Sequence, residues 1–449
     1  MRVKMSDEGM GSGEDGEMEY VPVDEDEPDE EEMTEEKSEP KAYLPGTQLD
    51  DGEELVHDES AYVMYHQAHT GAPCLSFDIL QDSLGDSRED FPMTAYIVCG
   101  TQAERSHANH VIVMKMSNLH KTNKDEEDND AGSESDSEDE DEKPELEAAM
   151  IKHNGGVNRV RATTVGDKSI AASWSEMGKV HIWDLSRPLS AVNDSSVMSI
   201  YTRNQESPPP LYTFGGHQVE GFAMDWSSTE PGKLATGDCN KNIHIWTPKE
   251  GGTWHVDQRP YTAHTASVED IQWSPNEPNV FASCSVDRSI RIWDARAAPS
   301  KACMLTTESA HERDVNVISW NRKEPFIVSG GDDGILKIWD LRQFQNGKSV
   351  ALFKHHTAPI TSVEWHQADF SVFAASGSDD QITLWDLAVE RDSEAPGGSK
   401  MEEPEVPPQL LFIHMGQTDI KELHWHPQIP GLILSTAHSG FNIFKTISV

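Results

Sequence analysis

Basic side chains are scarce in this chain of 449 residues, which has 36 Lys and Arg against 79 Asp and Glu and a formal net charge of −43. Proteins that hold nucleic-acid phosphates or anionic membranes do so with clustered Lys and Arg. We therefore expect no direct binding to nucleic acid or to a membrane. A negative excess of this size favours a basic partner, or tails kept soluble by their charge.

Cysteine and long apolar runs are also rare. The five cysteines are Cys74, Cys99, Cys239, Cys284 and Cys303. Their odd number and the lack of a Cys-x-x-Cys pair favour a reducing compartment and thiols that are core residues. No apolar run reaches the roughly 18 residues of a transmembrane helix, and the first residues lack the apolar centre of a signal peptide. We expect neither secretion nor a membrane span.

Sequence signals of catalysis are weak. The G-x-G-x-x-G pattern at residues 11–16 lies among carboxylates, with no strand before it and no helix after it, so it does not fit a phosphate site. His424 and His426 share one strand face but have no nearby third metal ligand. No Gly-x-Ser-x-Gly or Cys–His arrangement stands in a credible context. We expect no enzyme activity, no metal and no cofactor.

Tryptophan is absent from the first 173 residues and then recurs at a fixed interval. One series, 46 or 47 residues apart, ends alternating runs such as NIHIW and SIRIWD: Trp246, Trp293, Trp339 and Trp385. A second series stands 19 or 20 residues before the first or its equivalent: Trp226, Trp273, Trp320, Trp365 and Trp425. Short alternating strands at a fixed period indicate stacked β units that cannot bury their faces alone.

The repeat resembles the WD40 β-propeller. Trp-Asp dipeptides end several runs, and a histidine opens most units, with His414 in this role for the last one. The resemblance implies a hydrogen-bonded set of His, Ser, Asp and Trp in each regular blade: His264, Ser283, Asp287 and Trp293, then His311, Ser329, Asp333 and Trp339. In one unit Asn240 replaces the turn Asp, and the last unit has His438 and Phe444 in place of Asp and Trp.

The fold class that follows is all-β, a seven-bladed WD40 β-propeller over residues 73–446 with an N-terminal amphipathic helix and disordered acidic tracts. A weaker unit at residues 157–184 and three strands upstream of it complete the seven blades. Because closing a ring removes sheet edges, the last strand should pair with an N-terminal one. We predict the helix over residues 53–71, packed on the propeller, because Leu55, Tyr62 and Tyr65 recur at roughly helical spacing before Gly71.

The negative charge is concentrated in three segments. Residues 1–59 carry 23 acidic and 4 basic residues, residues 124–147 carry 14 and 2, and residues 390–406 carry 6 and 2. Such segments bury too little apolar surface to offset the entropy of ordering. We predict a disordered acidic tail over 1–50, a disordered acidic linker over 121–147 between the first two blades, and an acidic proline-proline loop over 388–408.

Longer stretches are similar to two related families. EELVHDESAYVMYHQAHTGAPCLSFDIL and the PPQLLFIH segment at 407–414 resemble the histone-binding WD-repeat proteins of chromatin assembly complexes, although their C-terminal helix is missing here. These stretches, with GGTWHVDQRP and FKTISV, resemble the glutamate-rich WD-repeat family over essentially the whole chain. The resemblance implies a client groove between the predicted helix and the acidic loop, assisted by the acidic linker: Leu55, Tyr62, Tyr65, Glu402, Glu403, Glu405, Glu138, Asp139, Glu140, Asp141 and Glu142.

The resemblance also implies a function. We expect a monomeric factor of the nucleus and nucleolus, shuttling with the cytoplasm, that escorts a basic large-subunit ribosomal protein (the third in large-subunit numbering) toward pre-ribosomal particles, with histone binding as a related activity. Ser133, Ser135 and Ser137 each precede an acidic residue by three positions, the pattern that acidophilic kinases favour, and phosphorylation would add negative charge.

Three alternatives stay open. Arg296 and Arg342 end Trp-Asp-x-Arg boxes, which in some propellers dock on the DNA-damage-binding adaptor of cullin-4 ubiquitin ligases, so the protein could be a substrate receptor. It could also be a histone chaperone in chromatin assembly or replication licensing. In the third alternative, the acidic tracts only confer solubility.

Overall fold

The computed structural model describes residues 2–5, 41–43, 53–122, 143–390 and 406–449. The chain divides into two compact units, Met1–Ala61 and Tyr62–Val449. In the first unit, three short strands form an antiparallel sheet in the order β2-β1-β3, and a 3-10 turn follows at Glu59–Ala61. These strands are β1 (Arg2–Met5), β2 (Lys41–Ala42) and β3 (Glu53–Val56).

The second unit is a ring of seven antiparallel sheets of four strands each, in which the first strand of every blade packs against the first strands of its two neighbours. Blades 1 to 3 comprise β5 (Cys74–Leu80), β6 (Met93–Thr101), β7 (His110–Leu119), β8 (Glu145–Lys152); β9 (Val157–Val165), β10 (Lys168–Ser175), β11 (Lys179–Asp184), β12 (Tyr212–Phe214); β13 (Ala223–Trp226), β14 (Leu234–Gly237), β15 (Ile243–Lys249), β16 (Thr253–Val256). Blades 4 and 5 comprise β17 (Val268–Trp273), β18 (Val280–Ser285), β19 (Ile290–Asp294), β20 (Cys303–Thr307); β21 (Val315–Trp320), β22 (Phe326–Gly331), β23 (Ile335–Asp340), β24 (Ala351–Lys354). Blades 6 and 7 comprise β25 (Ile360–Trp365), β26 (Val372–Gly377), β27 (Gln381–Asp386), β28 (Leu410–Met415); β29 (Ile420–Trp425), β30 (Leu432–Ala437), β31 (Gly440–Thr446), β4 (Tyr62–Ala68). The seven-bladed propeller predicted from the tryptophan repeat is therefore confirmed.

The predicted helix over residues 53–71 is wrong, because this stretch forms β3, the 3-10 turn and β4. Strand β4 pairs antiparallel with β31, with Tyr62 opposite Thr446 and Ala68 opposite Phe441. Tyr62, Met64 and Ala68 are buried at the period of two that marks a strand. This pairing closes the ring, so the expectation that the last strand pairs with an N-terminal one is confirmed. The helical spacing was misleading because aromatic residues at positions 62 and 65 also suit a strand.

The acidic linker is also placed differently from the prediction. Its last residues, Glu145 and Glu147, belong to β8, the fourth strand of blade 1, where Glu147 faces Lys115 on β7. Ala149 and Ile151 of the same strand are buried. The negative charge therefore interrupts blade 1 between its third and fourth strands and does not join two blades. Residues 123–142, which make up most of the predicted linker, lie outside the described residues.

A helical insertion stands at the equivalent place in blade 2. Helix α1 (Ser186–Asn193) and helix α2 (Ser195–Arg203) connect β11 to β12, and the Asp194 carboxylate accepts hydrogen bonds from the first backbone amides of α2. Tyr201 of α2 is buried and donates its hydroxyl to the Met150 carbonyl of blade 1 at 2.9 Å. Short 3-10 helices occur at Ser106–Ala108, Pro299–Lys301 and Leu341–Asn346.

The structure contains both hydrogen-bond sets implied by the WD40 resemblance. In blade 4, His264 binds Asp287 through Nδ1 at 2.9 Å and Ser283 through Nε2 at 2.6 Å, while the Trp293 indole donates to Ser283 at 2.8 Å. Burial opposes ionisation of Asp287, but the charge and hydrogen bond of His264, together with hydrogen bonds from Ser289 and the Thr265 amide, lower the pKa of this carboxyl. Blade 5 repeats the arrangement with His311, Asp333, Ser329 and Trp339.

Two irregular blades differ from the sequence interpretation. In blade 3 the partner of His217 is Asp238, at 2.8 Å, and not a residue at position 240. In blade 7 Gln417, and not a histidine, accepts from the strand residue Ser435. His414 lies instead in β28, stacked on Phe444 at 4.0 Å between ring centroids. Loops of different length displace the polar partner by a few positions, which a fixed spacing does not capture.

Hydrogen bonds between blades line the central channel. Asp78, Asp225 and Asp270 each accept a backbone N–H from the first strand of the following blade, at 2.7, 2.7 and 3.1 Å. The second tryptophan series has the complementary role, because its indoles donate to a carbonyl of the preceding blade: Trp226, Trp273, Trp365 and Trp425. Its regular spacing therefore reports hydrogen bonds between blades, whereas the indoles of the first series donate within their own blade.

Glu422 of blade 7 completes this ring. Its side chain is 1% exposed, and its two oxygens bind Arg159 at 2.7 Å and Arg161 at 2.6 Å from blade 2 and accept the Phe77 amide of blade 1 at 2.9 Å. Burial disfavours the charged carboxylate, but the two guanidinium groups hold its pKa well below the usual value. One carboxylate therefore links three consecutive blades.

We predict that Glu422→Gln destabilises the propeller by about 3–5 kcal/mol, because it leaves two largely buried guanidinium groups without a counter-ion. Urea unfolding followed by tryptophan fluorescence measures the change. The matched control is Glu147→Gln, which removes the carboxylate of a more exposed pair at 3.4 Å and should cost below about 1 kcal/mol. Equal losses for the two variants would contradict the linking role of Glu422.

Candidate protein-interaction surface

One face of the propeller carries every long insertion. In an antiparallel blade, the connection from third to fourth strand lies on one face, and the connection to the next blade lies on the other. We call the first of these the insertion face. It carries the connections from β7 to β8, from β11 to β12 and from β27 to β28, and the chain also enters the propeller here, at Tyr62 in β4.

Two of these insertions are acidic and belong to blades 1 and 6, which are separated by one blade. Residues 123–142 of blade 1 carry twelve acidic residues and one basic residue, and residues 391–405 of blade 6 carry five and two. We call them the blade-1 and blade-6 acidic segments. Both lie outside the described residues, but the residues that flank them are described. Blade 7, which contains β4, stands between their attachment points.

The flanking residues meet on the first two residues of β4. Next to the blade-1 segment, Thr122 donates its backbone N–H to the Val63 carbonyl at 3.0 Å. On the other side, Phe412 and His414 of β28 contact Tyr62, with a ring-centroid distance of 5.5 Å to Phe412 and a hydrogen bond of 2.8 Å between the Tyr62 hydroxyl and His414 Nδ1. We call these five residues the junction. It joins Thr122, which directly precedes the blade-1 segment, to β28, which begins five residues after the blade-6 segment.

The predicted client-binding residues divide accordingly. Tyr62 is 6% exposed and Tyr65 is half-buried, with its hydroxyl near Gln67 and Asn442; burial raises the pKa of Tyr65. Both tyrosines contact β28, the strand that follows the acidic loop, and their role in client binding stays a prediction. Leu55 belongs to the other unit, in β3 opposite Val3. The other predicted residues lie outside the described residues: Glu138, Asp139, Glu140, Asp141, Glu142, Glu402, Glu403, Glu405, Ser133, Ser135 and Ser137.

A groove that sequence reasoning missed lies near the junction. It has a volume of about 300 Å³ between blades 6 and 7 and combines apolar with charged walls: His366, Asp369, Val372, Asp386, Leu411, Pro430, Gly431, Lys445, Ser448 and Val449. Three apolar residues close in sequence to the groove lining are also exposed: Phe370, Val406 and Ile447, at 47, 41 and 66%. Because these residues come from strand ends and loops that are separate in the sequence, no local pattern could have joined them.

The central channel contains a second cavity, of about 490 Å³. Charged residues that line it bind each other or backbone amides of neighbouring blades. Burial, together with the neighbouring Asp270 and Asp78, raises the pKa of Asp225 to about 8. His424 is held by Glu364 at 2.7 Å; burial lowers its pKa, but Glu364 and Glu422 together raise it to about 10. His426 faces a different environment, where burial lowers its pKa to about 3. Within the described ranges, no group of three or more His, Cys, Asp or Glu side chains could hold a metal ion.

Both Trp-Asp-x-Arg arginines lie on the insertion face, in blades 4 and 5. The guanidinium group of Arg296 makes a two-pronged contact with its own Asp294, and Arg342 does the same with Asp340, with shortest distances of 2.7 and 2.8 Å. These arginine side chains are 68 and 66% exposed. Their aspartates therefore fix the direction of two guanidinium groups that remain open to a partner.

Comparison with known proteins places these features in a family. A profile described as the histone-binding protein RBBP4, or its counterpart in the CAF1 complex, matches residues 52–120, and the WD domain, G-beta repeat profile matches 208–247, 256–294, 302–340 and 347–386. Ribosome assembly protein rrb1 of Schizosaccharomyces pombe is 45% identical over 94% of this chain and 87% of its own length. Glutamate-rich WD repeat-containing protein 1 of Dictyostelium discoideum is 44% identical over 92% of this chain and 86% of its own length.

The chain belongs to the glutamate-rich WD-repeat family. A plant member, Protein HEAT STRESS TOLERANT DWD 1 of Arabidopsis thaliana, is 44% identical over 91% of this chain and 92% of its own length. The histone-binding profile covers β3, β4 and blade 1 up to the base of the blade-1 acidic segment, and so includes Tyr62 and Val63. The junction is thus built in part from the stretch of this family member that resembles histone-binding proteins.

Helices α1 and α2 have eight and nine residues, and the described part of the chain contains no helix that could cross a membrane.

We predict that Tyr62→Phe loosens the junction, because it removes one hydrogen bond of the buried His414 side chain, at a cost of about 1–2 kcal/mol. Hydrogen exchange should accelerate selectively across β4 and β31, and urea unfolding should give the change in stability. The matched control is Tyr212→Phe, in which the ring contacts with Trp246 and Trp254 are retained. Uniform acceleration in all blades would contradict a local role for Tyr62.

Proposed function

We propose that this protein is a ribosome-biogenesis factor of the nucleus and nucleolus that escorts a basic large-subunit ribosomal protein, the third in large-subunit numbering, with histone binding as a related activity. The observation that carries the proposal is the junction, where the bases of two strongly acidic segments meet on one face. A single basic client could contact both segments at once.

In this complex the acidic segments and the propeller surface would have different roles: the segments attract the client, and the surface selects it. Many exposed carboxylates attract a basic protein over distances near the Debye length, raise the association rate and make it sensitive to salt. The apolar and charged groove between blades 6 and 7 then offers a fixed surface for selectivity. A solubility role alone would not require both internal segments to attach at the same sector of the ring.

The names of the relatives point in the same direction. One is named a ribosome assembly protein, and the profile matching residues 52–120 is described as a histone-binding protein. Both ribosomal proteins and histones are basic clients, so one acidic surface is chemically suited to either. The identity of the ribosomal protein is the most specific part of the proposal, and it comes from the family resemblance.

We predict that neutralising the acidic segments weakens client binding without unfolding the propeller. Glu402, Glu403 and Glu405→Gln, combined with neutralisation of residues 138–142, should weaken binding of the purified ribosomal protein by about tenfold or more at low salt and flatten its salt dependence. Isothermal titration at several salt concentrations measures both effects, and an unchanged Tm shows that the fold is intact.

The matched control replaces three exposed glutamates on the opposite face, Glu104, Glu308 and Glu312, by Gln. This triple variant should bind as tightly as the unaltered protein, in contrast to the Glu402, Glu403 and Glu405 triple. If both triples weaken binding equally, net charge and not the junction sector holds the client. Binding of core histones at higher affinity than the ribosomal protein would instead favour the histone-chaperone alternative.

A role as a substrate receptor of a cullin-4 ligase is a second candidate, favoured by the exposed, oriented guanidinium groups of Arg296 and Arg342. We predict that Arg296→Ala combined with Arg342→Ala abolishes co-purification of the DNA-damage-binding adaptor, because Ala cannot replace the planar guanidinium contacts. The control is Arg259→Ala, since Arg259 also pairs with its own neighbour, Asp257, at 2.8 Å and is 74% exposed, but lies on the opposite face. Unchanged recovery of the adaptor with the double variant would dispose of this function.

A further inference from the structure

Two of the five cysteines lie in contact inside blade 1. Cys74 begins β5 and Cys99 lies in β6, and their sulfur atoms are 3.6 Å apart. A shift in register between Cys74 and Ser76 brings the two side chains together across the strands, although Cys74 is paired in register with Thr101. The three remaining cysteines show no such sulfur neighbour among the described residues.

The position of this pair connects it with ring closure. The loop of residues 69–73 leads from the closing strand β4 directly into Cys74. The Cys74 carbonyl also accepts a hydrogen bond from the Thr436 hydroxyl of blade 7. A covalent bond at Cys74 would therefore anchor the first residue of blade 1, directly after the loop from the closing strand.

Both thiols are buried, and a partly exposed turn covers Cys74. Cys74 and Cys99 are 1 and 0% exposed. Over Cys74 lies the turn formed by Thr70, whose hydroxyl donates to the Ala72 carbonyl at 2.7 Å and contacts the Cys74 sulfur at 3.5 Å. Gly71, at the top of this turn, has open space around it. Local opening of one exposed turn is enough to admit a small oxidant.

We propose that Cys74 and Cys99 form an oxidisable dithiol, a modification site that a peroxide converts to a disulfide beside the closure of the ring. This inference is independent of the client proposed above. The sulfur atoms must approach by about 1.5 Å to reach the disulfide bond length of about 2.05 Å. The partner thiol lies within the same hairpin, so no blade needs to separate.

The two cysteines have distinct parts in the reaction. Cys74 lies beneath the partly exposed Thr70 turn, whereas Cys99 is fully buried in β6, so Cys74 is the thiol that peroxide reaches first and its thiolate attacks. Its sulfur forms an S–O bond as the O–O bond of hydrogen peroxide breaks, and the released hydroxide takes a proton to become water. The Cys99 sulfur then displaces the sulfenic oxygen, which leaves as a second water with the Cys99 proton. Two thiols are oxidised and one peroxide is reduced.

The test is peptide mapping of the full-length protein after mild hydrogen peroxide treatment. Trypsin cleavage at Lys41, Arg88 and Arg105 places the two cysteines in peptides 42–88 and 89–105. We expect these peptides to appear joined under non-reducing conditions, with a loss of two hydrogens, and to separate after reduction. The joined peptide should be absent from Cys74→Ser and from Cys99→Ser, and should persist in the matched buried control Cys284→Ser.

A further variant, compared by the rate of disulfide formation, keeps the test valid if the cysteine variants misfold. Thr70→Ala keeps both thiols but removes the hydroxyl that holds the covering turn, so it should speed formation of the joined peptide severalfold. Oxidation should also raise the Tm of the wild-type protein, because the cross-link restricts the unfolded chain. Peroxide treatment that leaves both peptides separate, or that converts Cys74 only to sulfinic acid, would overturn the proposal.

Discussion

The first strands of adjacent blades are bound to each other through side chains that accept or donate at the neighbouring backbone, and the ring depends on this repeated contact. A blade has a polar edge along its first strand, whose amides would face the channel unpaired. Asp78, Asp225, Asp270 and Glu422 satisfy those amides, while indoles of the second tryptophan series satisfy carbonyls of the preceding blade. Burial raises the pKa of the three aspartates, whereas two guanidinium groups keep Glu422 ionised.

A ring built in this way needs a strand that joins its two ends, and β4 is that strand. Its pairing with β31 makes the start of the propeller a neighbour of blade 6 on one side and blade 1 on the other. The same residues therefore serve closure and the placement of both internal acidic segments. Tyr62 illustrates this double use, since its ring and hydroxyl pack in the closed sheet while its neighbours Phe412 and Thr122 lead to the acidic segments. Stability and any client site are coupled at the junction.

Sequence reasoning could predict the repeated part of the fold because a fixed period and alternating burial are properties of each blade alone. It placed His264, Asp287, Ser283 and Trp293 in one set, and the hydrogen bonds are present. It failed where a segment's structure is decided by a partner remote in the chain. Residues 62–68 are a strand because β31 lies beside them, almost 380 residues later. Glu145 and Glu147 read as part of an acidic tract, yet β7 makes them a strand. The groove between blades 6 and 7 had no local signal, since its walls meet only after folding.

The distribution of charge follows from the same division between packed ring and insertions. A carboxylate inside the ring must be matched by hydrogen bonds or a counter-ion, as at Glu422, so the ring can carry few of them. A connection between third and fourth strands is not one of the ring's packed strands, so this limit does not apply to it. Blades 1 and 6 accept acidic insertions there without disturbing their strand pairing, as β7 still pairs with β8 and β27 with β28. The net charge of −43 is thus carried largely by the acidic segments of a nearly ordinary ring, and the two internal segments are attached to the blades on either side of blade 7.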